Sequence, residues 1–199
     1  TKWVDGNPSP NRKTETTERI ISDVCGPGCK PKLVYSDNGS EIIEALRNLG
    51  YPHDTCTPHV KQTNGLVENT VRQITEGTAC SLAQSGYCVN RWNLAIKLFC
   101  FLQNVTNVLP CGCTPYQLRF GEFNGHKVPF GASVQYMRMI DGEAVRSHPM
   151  GPKTRPGLFV GYHQHSGGRW SGDYLIMDAK SLEETDQRKY AKIYRVKDI

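Results

Sequence analysis

Residues 32–50 read KLVYSDNGSEIIEALRNLG, and this stretch sets the fold class. Lys32 to Asp37 is a compact β-prone run, and Asn38-Gly39 ends it abruptly, because Asn and Gly tolerate the backbone angles of a tight turn. From Glu41 onward Ile42, Ala45, Leu46 and Leu49 recur at helical spacing, and Gly50 supplies the stop. A strand that feeds a helix through a short turn is the building unit of an α/β layer. Asp37 therefore closes a strand, with its carboxylate projecting from the sheet edge.

Working outward, a polar loop over 52–64 leads into a long helix predicted over Leu66–Ala83, with Val67, Val71, Ile74, Thr78 and Leu82 along one face. A further helix, rich in Leu, Phe and Ile, is predicted over Arg91–Val108. Upstream, TKWV (Thr1–Val4) reads as the end of a strand running into a turn. Thr14 then reads as the cap of a short helix carrying Ile20, Ile21 and Val24, stopped at Gly26-Pro27-Gly28. Beyond Pro110 the pattern changes to short β-like runs at Ser133–Met139, Gly157–Tyr162, Asp173–Asp178 and Ala191–Val196, which is how a small barrel or sandwich reads. The boundary is expected within Gly121–Pro129, dividing the chain into a domain over 1–122 and a smaller β-rich module over 123–199.

Composition is that of a folded soluble domain, with 38% hydrophobic and 22% charged residues. There is no apolar run long enough for a membrane span and no secretory-signal pattern, so no membrane partner and a nuclear or cytoplasmic location are expected. The chain begins at Thr1 and is expected to be a piece of something longer. Net charge is +5, and the excess sits at the back: residues 126–199 hold 12 Lys and Arg against 8 Asp and Glu. A modest positive field of this kind favours a polyanionic partner. The eight cysteines include only two close pairs, Cys25 with Cys29 and Cys111 with Cys113, and neither has a second pair at zinc-finger spacing. They are read as reduced, structural thiols. His163 and His165 alternate on a strand, and with no third ligand in sight they do not make a metal site.

The chemistry rests on two acids. Asp37 sits at a strand end, and Glu68 lies one turn into the long helix. Two carboxylates brought together repel one another unless a cation lies between them, and their hard oxygens suit Mg²⁺ or Mn²⁺. Taken singly, each acid has an ordinary explanation: Asp before Asn-Gly forms turns, and Glu early in a helix meets the helix dipole.

The words around the acids carry a resemblance. SDNGSE (36–41), GYPHDTCTPH (50–59) and QTNGLVEN (62–69) are similar, in order, to the core motifs of retroviral and retrotransposon integrases. TKWV resembles that family's first strand, TPYQLRFG (114–121) resembles the segment following the core in copia-type elements, and GLFVGYH (157–163) with WSGDYLIMD (170–178) resembles the β segment closing that region. The resemblance covers nearly the whole chain. It implies an RNase H-like three-layer α/β integrase core, truncated at its N-terminus, followed by a small all-β module. It also implies a metal-dependent polynucleotidyl transferase acting in DNA integration, by 3′-end processing and strand transfer.

Carried over by position, the resemblance makes Asp37 and Glu68 the second and third catalytic, metal-binding acids, with Mg²⁺ or Mn²⁺ as cofactor. Asn38 and Gly39 shape the strand exit, and Gln62, Asn64 and Gly65 form a DNA-touching loop with His59 beside it. Arg72 keeps the family's positive charge past the catalytic Glu, where Asn69 departs from it. DNA is the expected partner, with further contacts from Lys61 and, in the β module, Lys153, Arg155, Arg169, Lys192 and Arg195. Tyr162, Trp170, Tyr174 and Tyr194 interleave with that basic set as possible stacking surfaces. The family's first catalytic Asp would precede Thr1, so this fragment by itself is expected to be inactive. The acids are 30 residues apart where the family has about 35. Three other readings stay open: a catalytically dead nucleic-acid-binding relic, an RNase H-like nuclease on the same scaffold, and a protein-interaction module whose apolar Arg91–Val108 helix makes a homo-oligomer face.

Overall fold

A computed structural model describes residues 1–55, 65–137, 139–140, 143–144, 150–179 and 192–199. In chain order the elements are α1 (Thr14–Cys25), β1 (Val34–Ser36), α2 (Ser40–Leu49), β2 (His53–Thr55), α3 (Gly65–Ser85), α4 (Trp92–Thr106), α5 (Pro115–Phe120), β3 (Ser133–Tyr136), β4 (Met139–Ile140), β5 (Glu143–Ala144), β6 (Arg155–Gln164), β7 (Trp170–Asp178) and β8 (Ile193–Val196). The expected order, α/β first and a small β module second, is the order the chain adopts.

The first part holds a parallel pair, β1 beside β2, with Val34 opposite His53 and Ser36 opposite Thr55. Helix α2 ends where Gly50 takes the left-handed conformation (φ 65°, ψ 31°). There Gly50 N–H donates to Arg47 O and Tyr51 N–H to Leu46 O, each at 3.0 Å, so the last carbonyls are satisfied. Helix α2 packs on α1, and α3 packs on α4. The face expected on α3 is divided: Thr78 and Leu82 are buried, whereas Val67 and Val71 are exposed.

The second part is a four-stranded antiparallel sheet in the order β3-β6-β7-β8, with register breaks in β6 at Phe159/Gly161 and Tyr162/Gln164. Helix α4 lies on β6, and one buried cluster runs from Leu98, Phe101 and Val105 through Tyr116 to Phe159, Tyr162, Tyr174 and Ile176. The core therefore crosses the expected 122/123 boundary. The loop of the β6–β7 hairpin also reaches α1, where Gly167 N–H (2.7 Å) and Ser166 Oγ–H (3.1 Å) both donate to Asp23 O. The described cysteines are free thiols; burial first, and then the nearby charge of Asp5, pushes the Cys100 thiol up to about 12.

Four expectations are corrected. Thr1–Val4 is not a strand: Trp3 lies under the Arg119 guanidinium (4.6 Å) and against Phe120, and Val4 is held by a side chain. Thr14 is the first helical residue and not the cap; its hydroxyl donates to Glu44 on α2, because that contact lies within reach once the helices pack. β2 falls within the stretch read as a polar loop. Tyr162 and Tyr174 are not stacking surfaces, since both are only 4% exposed in the aromatic cluster. Trp170 packs against Phe123 and Tyr174 in that cluster, and its Nε1–H donates to Asp173 O.

Candidate active site

Asp37 follows the C-terminal end of β1, and Gly39 caps α2 two residues later, so the acid stands exposed between strand and helix. Ser36, the last residue of β1, donates its hydroxyl to Asp37 O at 2.7 Å. Glu68 lies in the first turn of α3, where the unpaired N–H groups and the helix dipole favour a carboxylate. The two acids line one open cleft of 720 Å³, together with Tyr35, Ser36, Ile42, Val71 and Arg72.

Arg72 lies one turn past Glu68, and its guanidinium donates to Asn69 Oδ1 at 2.9 Å. Asn69 therefore orients the Arg72 guanidinium. Sequence reasoning passed over two groups. Glu76 lines the same cleft and could have been found by its spacing, since 68, 72 and 76 share a helix face. His53, whose Nε2 lies 2.9 Å from Ser36 Oγ, stands inside the GYPHDTCTPH motif, but only the strand pairing shows which residue it meets.

Mg²⁺ or Mn²⁺ suits the donors at this cleft: oxygen ligands only, exposed to water, which such a cation keeps as further ligands. Among the described residues no three of His, Cys, Asp and Glu gather as a metal-binding group.

The remaining candidates are dispersed. Gly65 opens α3 and Asn38 follows Asp37, while His59, Lys61, Gln62 and Asn64 lie outside the described residues. Lys153, Arg169 and Lys192 are exposed on the β module, and Arg155 is half-buried opposite Tyr136. Arg195 is committed: its Nε and Nη2 meet Asp173 Oδ2 at 2.6 and 2.5 Å. His163 joins that group through Ser171, which also donates to Asp173. His163 and His165 do meet, with ring centroids 5.9 Å apart.

No protein-family model matches the chain. It is similar to two Arabidopsis thaliana proteins, the retrovirus-related Pol polyproteins from transposons RE2 and RE1. Identity is 28% over 137 residues (65% of this chain) and 29% over 136 residues (64%), respectively. The chain spans 9% of the length of each of these curated relatives. The retroelement kinship read from residues 36–69 is borne out by them. Among solved structures, the catalytic core domain of BIV integrase matches 55% of this chain and 72% of its own at 22% identity, with a TM-score of 0.40. A simian T-cell lymphotropic virus intasome in complex with the PP2A regulatory subunit B56 gamma matches 94% and 63% at 18% identity, with a TM-score of 0.44.

Proposed function

We propose that this chain is part of an integrase-type polynucleotidyl transferase of a copia-like retroelement. An RNase H-like core over 1–122 and a basic β module over 123–199 would process the 3′ ends of element DNA and join them to a target duplex. The observation that carries the reading is the sharing of one cleft by Asp37 and Glu68. Acids on different elements, with 30 residues between them, come to line one cleft only if the fold brings them there, and carboxylates brought close together repel unless a cation lies between them.

Asp37 and Glu68 would hold Mg²⁺ or Mn²⁺, which when bound supplies Lewis-acid stabilisation to the phosphoryl oxygens. Around that centre, Arg72 offers its charge to a phosphate, and Asn38, Gly65 and the His59, Lys61, Gln62 and Asn64 stretch would line the DNA path. Lys153, Arg155, Arg169, Lys192 and Arg195 would track the backbone on the β module, a contact that weakens with salt. Assembly into homo-oligomers on DNA, in the nucleus or cytoplasm, belongs to the same proposal. No described helix is long and apolar enough to cross a membrane.

The test is a Mg²⁺-dependent strand-transfer assay on the chain carrying its native upstream sequence. Asp37→Asn and Glu68→Gln should each abolish joining. If either leaves it untouched, the site assignment is wrong. A second reading, a nucleic-acid-binding relic without catalysis, needs only the exposed Lys153, Arg169 and Lys192 of the β module. It predicts duplex binding with no joined product, and an RNase H-like nuclease would yield cleavage products alone.

A further inference from the structure

The histidine of GYPH has no part in the reading above. His53 opens β2, is half-buried, and reaches across to Ser36, the last residue of β1. Ser36 Oγ has one proton, and the Asp37 carbonyl 2.7 Å away can only accept, so the proton is spent there. Ser36 Oγ must then accept from the imidazole at 2.9 Å, which puts a hydrogen on His53 Nε2. The order is His53 Nε2–H to Ser36 Oγ–H to Asp37 O.

This relay sits at the last described pair of the backbone ladder. Among the described residues the paired register runs to Ser36 with Thr55, and Asp37 lies one residue beyond it, exposed, before the helix begins at Ser40. A two-stranded pair fixes its last residues weakly. The relay anchors the carbonyl of the acid's own residue, and so limits rotation of the segment from which the carboxylate extends.

We propose that His53 and Ser36 are positioning residues that hold Asp37 so that its carboxylate meets that of Glu68, with His53 acting through Ser36. The proposal rests on the cation-binding reading of the cleft. A residue that orients a metal ligand in this way commonly accounts for about tenfold or more in metal affinity.

Mn²⁺ alone is titrated into the chain and its variants, free Mn²⁺ is followed by electron paramagnetic resonance, and urea midpoints are recorded alongside. Ser36→Ala and His53→Ala should each weaken Mn²⁺ binding by about tenfold. The double variant should be no weaker than either single, because one relay is broken in all three. His53→Gln retains an N–H donor and Ser36→Thr retains the hydroxyl, so both should recover most of the affinity, which a general loss of fold would not allow. Wild-type affinity in the two Ala variants, multiplying losses in the double, or a His53→Gln variant as weak as His53→Ala would each overturn the proposal. Asp37→Asn and Glu68→Gln separate the two failures. If they too leave Mn²⁺ binding unchanged, the cation-binding reading falls and the positioning role with it. If they abolish binding while Ser36→Ala and His53→Ala do not, the positioning role alone is lost.

Discussion

The side-chain amide of Asn104 holds Val4 from both edges, accepting from its N–H at 3.0 Å and donating to its C=O at 2.6 Å. Asn104 is on α4 and is 1% exposed, so an amide within a helix stands in for the neighbouring strand that Val4 lacks. Asn104→Ala would leave two backbone groups without partners and should cost about 2–3 kcal/mol in urea denaturation. Asn104→Leu fills the space but restores neither bond, and should cost a similar amount. A loss below about 0.5 kcal/mol, the level of an ordinary surface change, would show that residues 1–6 do not dock as described.

Gly168 tests the same docking from the other side. Its φ is +90°, and a Cβ added there would lie 2.5 Å from Trp3 Cζ2. Gly168→Ala combines backbone strain with a collision against a ring already enclosed by Phe120 and Arg119. A destabilisation of about 2–4 kcal/mol is expected. Trp3→Ala in the Gly168→Ala background should remove the steric part, so the two losses should fall short of adding.

Acid should loosen the β module in two stages. His163 is held below its ordinary value of about 6.5, by partial burial first and then by the Arg195 and His165 charges, with Asp173 pulling the other way. A histidine with a depressed folded pKa favours the native state fully above the unfolded value, and that favour is lost as pH falls from about 6.5 toward the folded value. Burial alone would raise Asp173, but hydrogen bonds from Arg195 and Ser171 and the Arg195 charge together hold it below the usual range. Its contribution is therefore present above about 3.9 and disappears as pH falls through the lower folded value. Urea midpoints measured from pH 7.5 to 5 should decline in the wild type and stay flatter in His163→Gln. An equal decline in both would assign the first stage to other groups.

Arg72 and Arg195 should contribute unequally to DNA binding. The Arg195 guanidinium already meets Asp173, whereas Arg72 shares its charge with a neutral amide. Arg72→Gln should reduce the slope of log affinity against log salt by about one, read by fluorescence anisotropy of a labelled duplex. Arg195→Gln should change the slope less and lower stability more. Equal slope losses would mean that DNA displaces Asp173 from Arg195.

Much of the scaffold could be read locally. Ile42, Ala45, Leu46 and Gly50 define a helix and its end without outside help, and α2 runs to Leu49 as expected. Helix α5 was equally legible and was missed. Thr114 and Gln117 form a reciprocal capping box with Pro115 at the first turn, a signature that four residues of sequence contain. β2 was not legible, since His53-Asp54-Thr55 has no strand character of its own and exists by pairing with β1. The β-module aromatics misled for a related reason: interleaving with basic residues is the same pattern whether rings face solvent or one another.

By itself the sequence determined where helices α1 to α4 run and where the strand before Asp37 stops, because periodicity and turns are encoded between near neighbours. Only tertiary structure decided that Asp37 and Glu68 share a cleft, that His53 reaches Ser36, and that Asn104 takes the place of a strand beside Val4. Those contacts join residues 17 to 100 positions apart. They form when buried surface pulls distant elements together, and no local pattern records that closure.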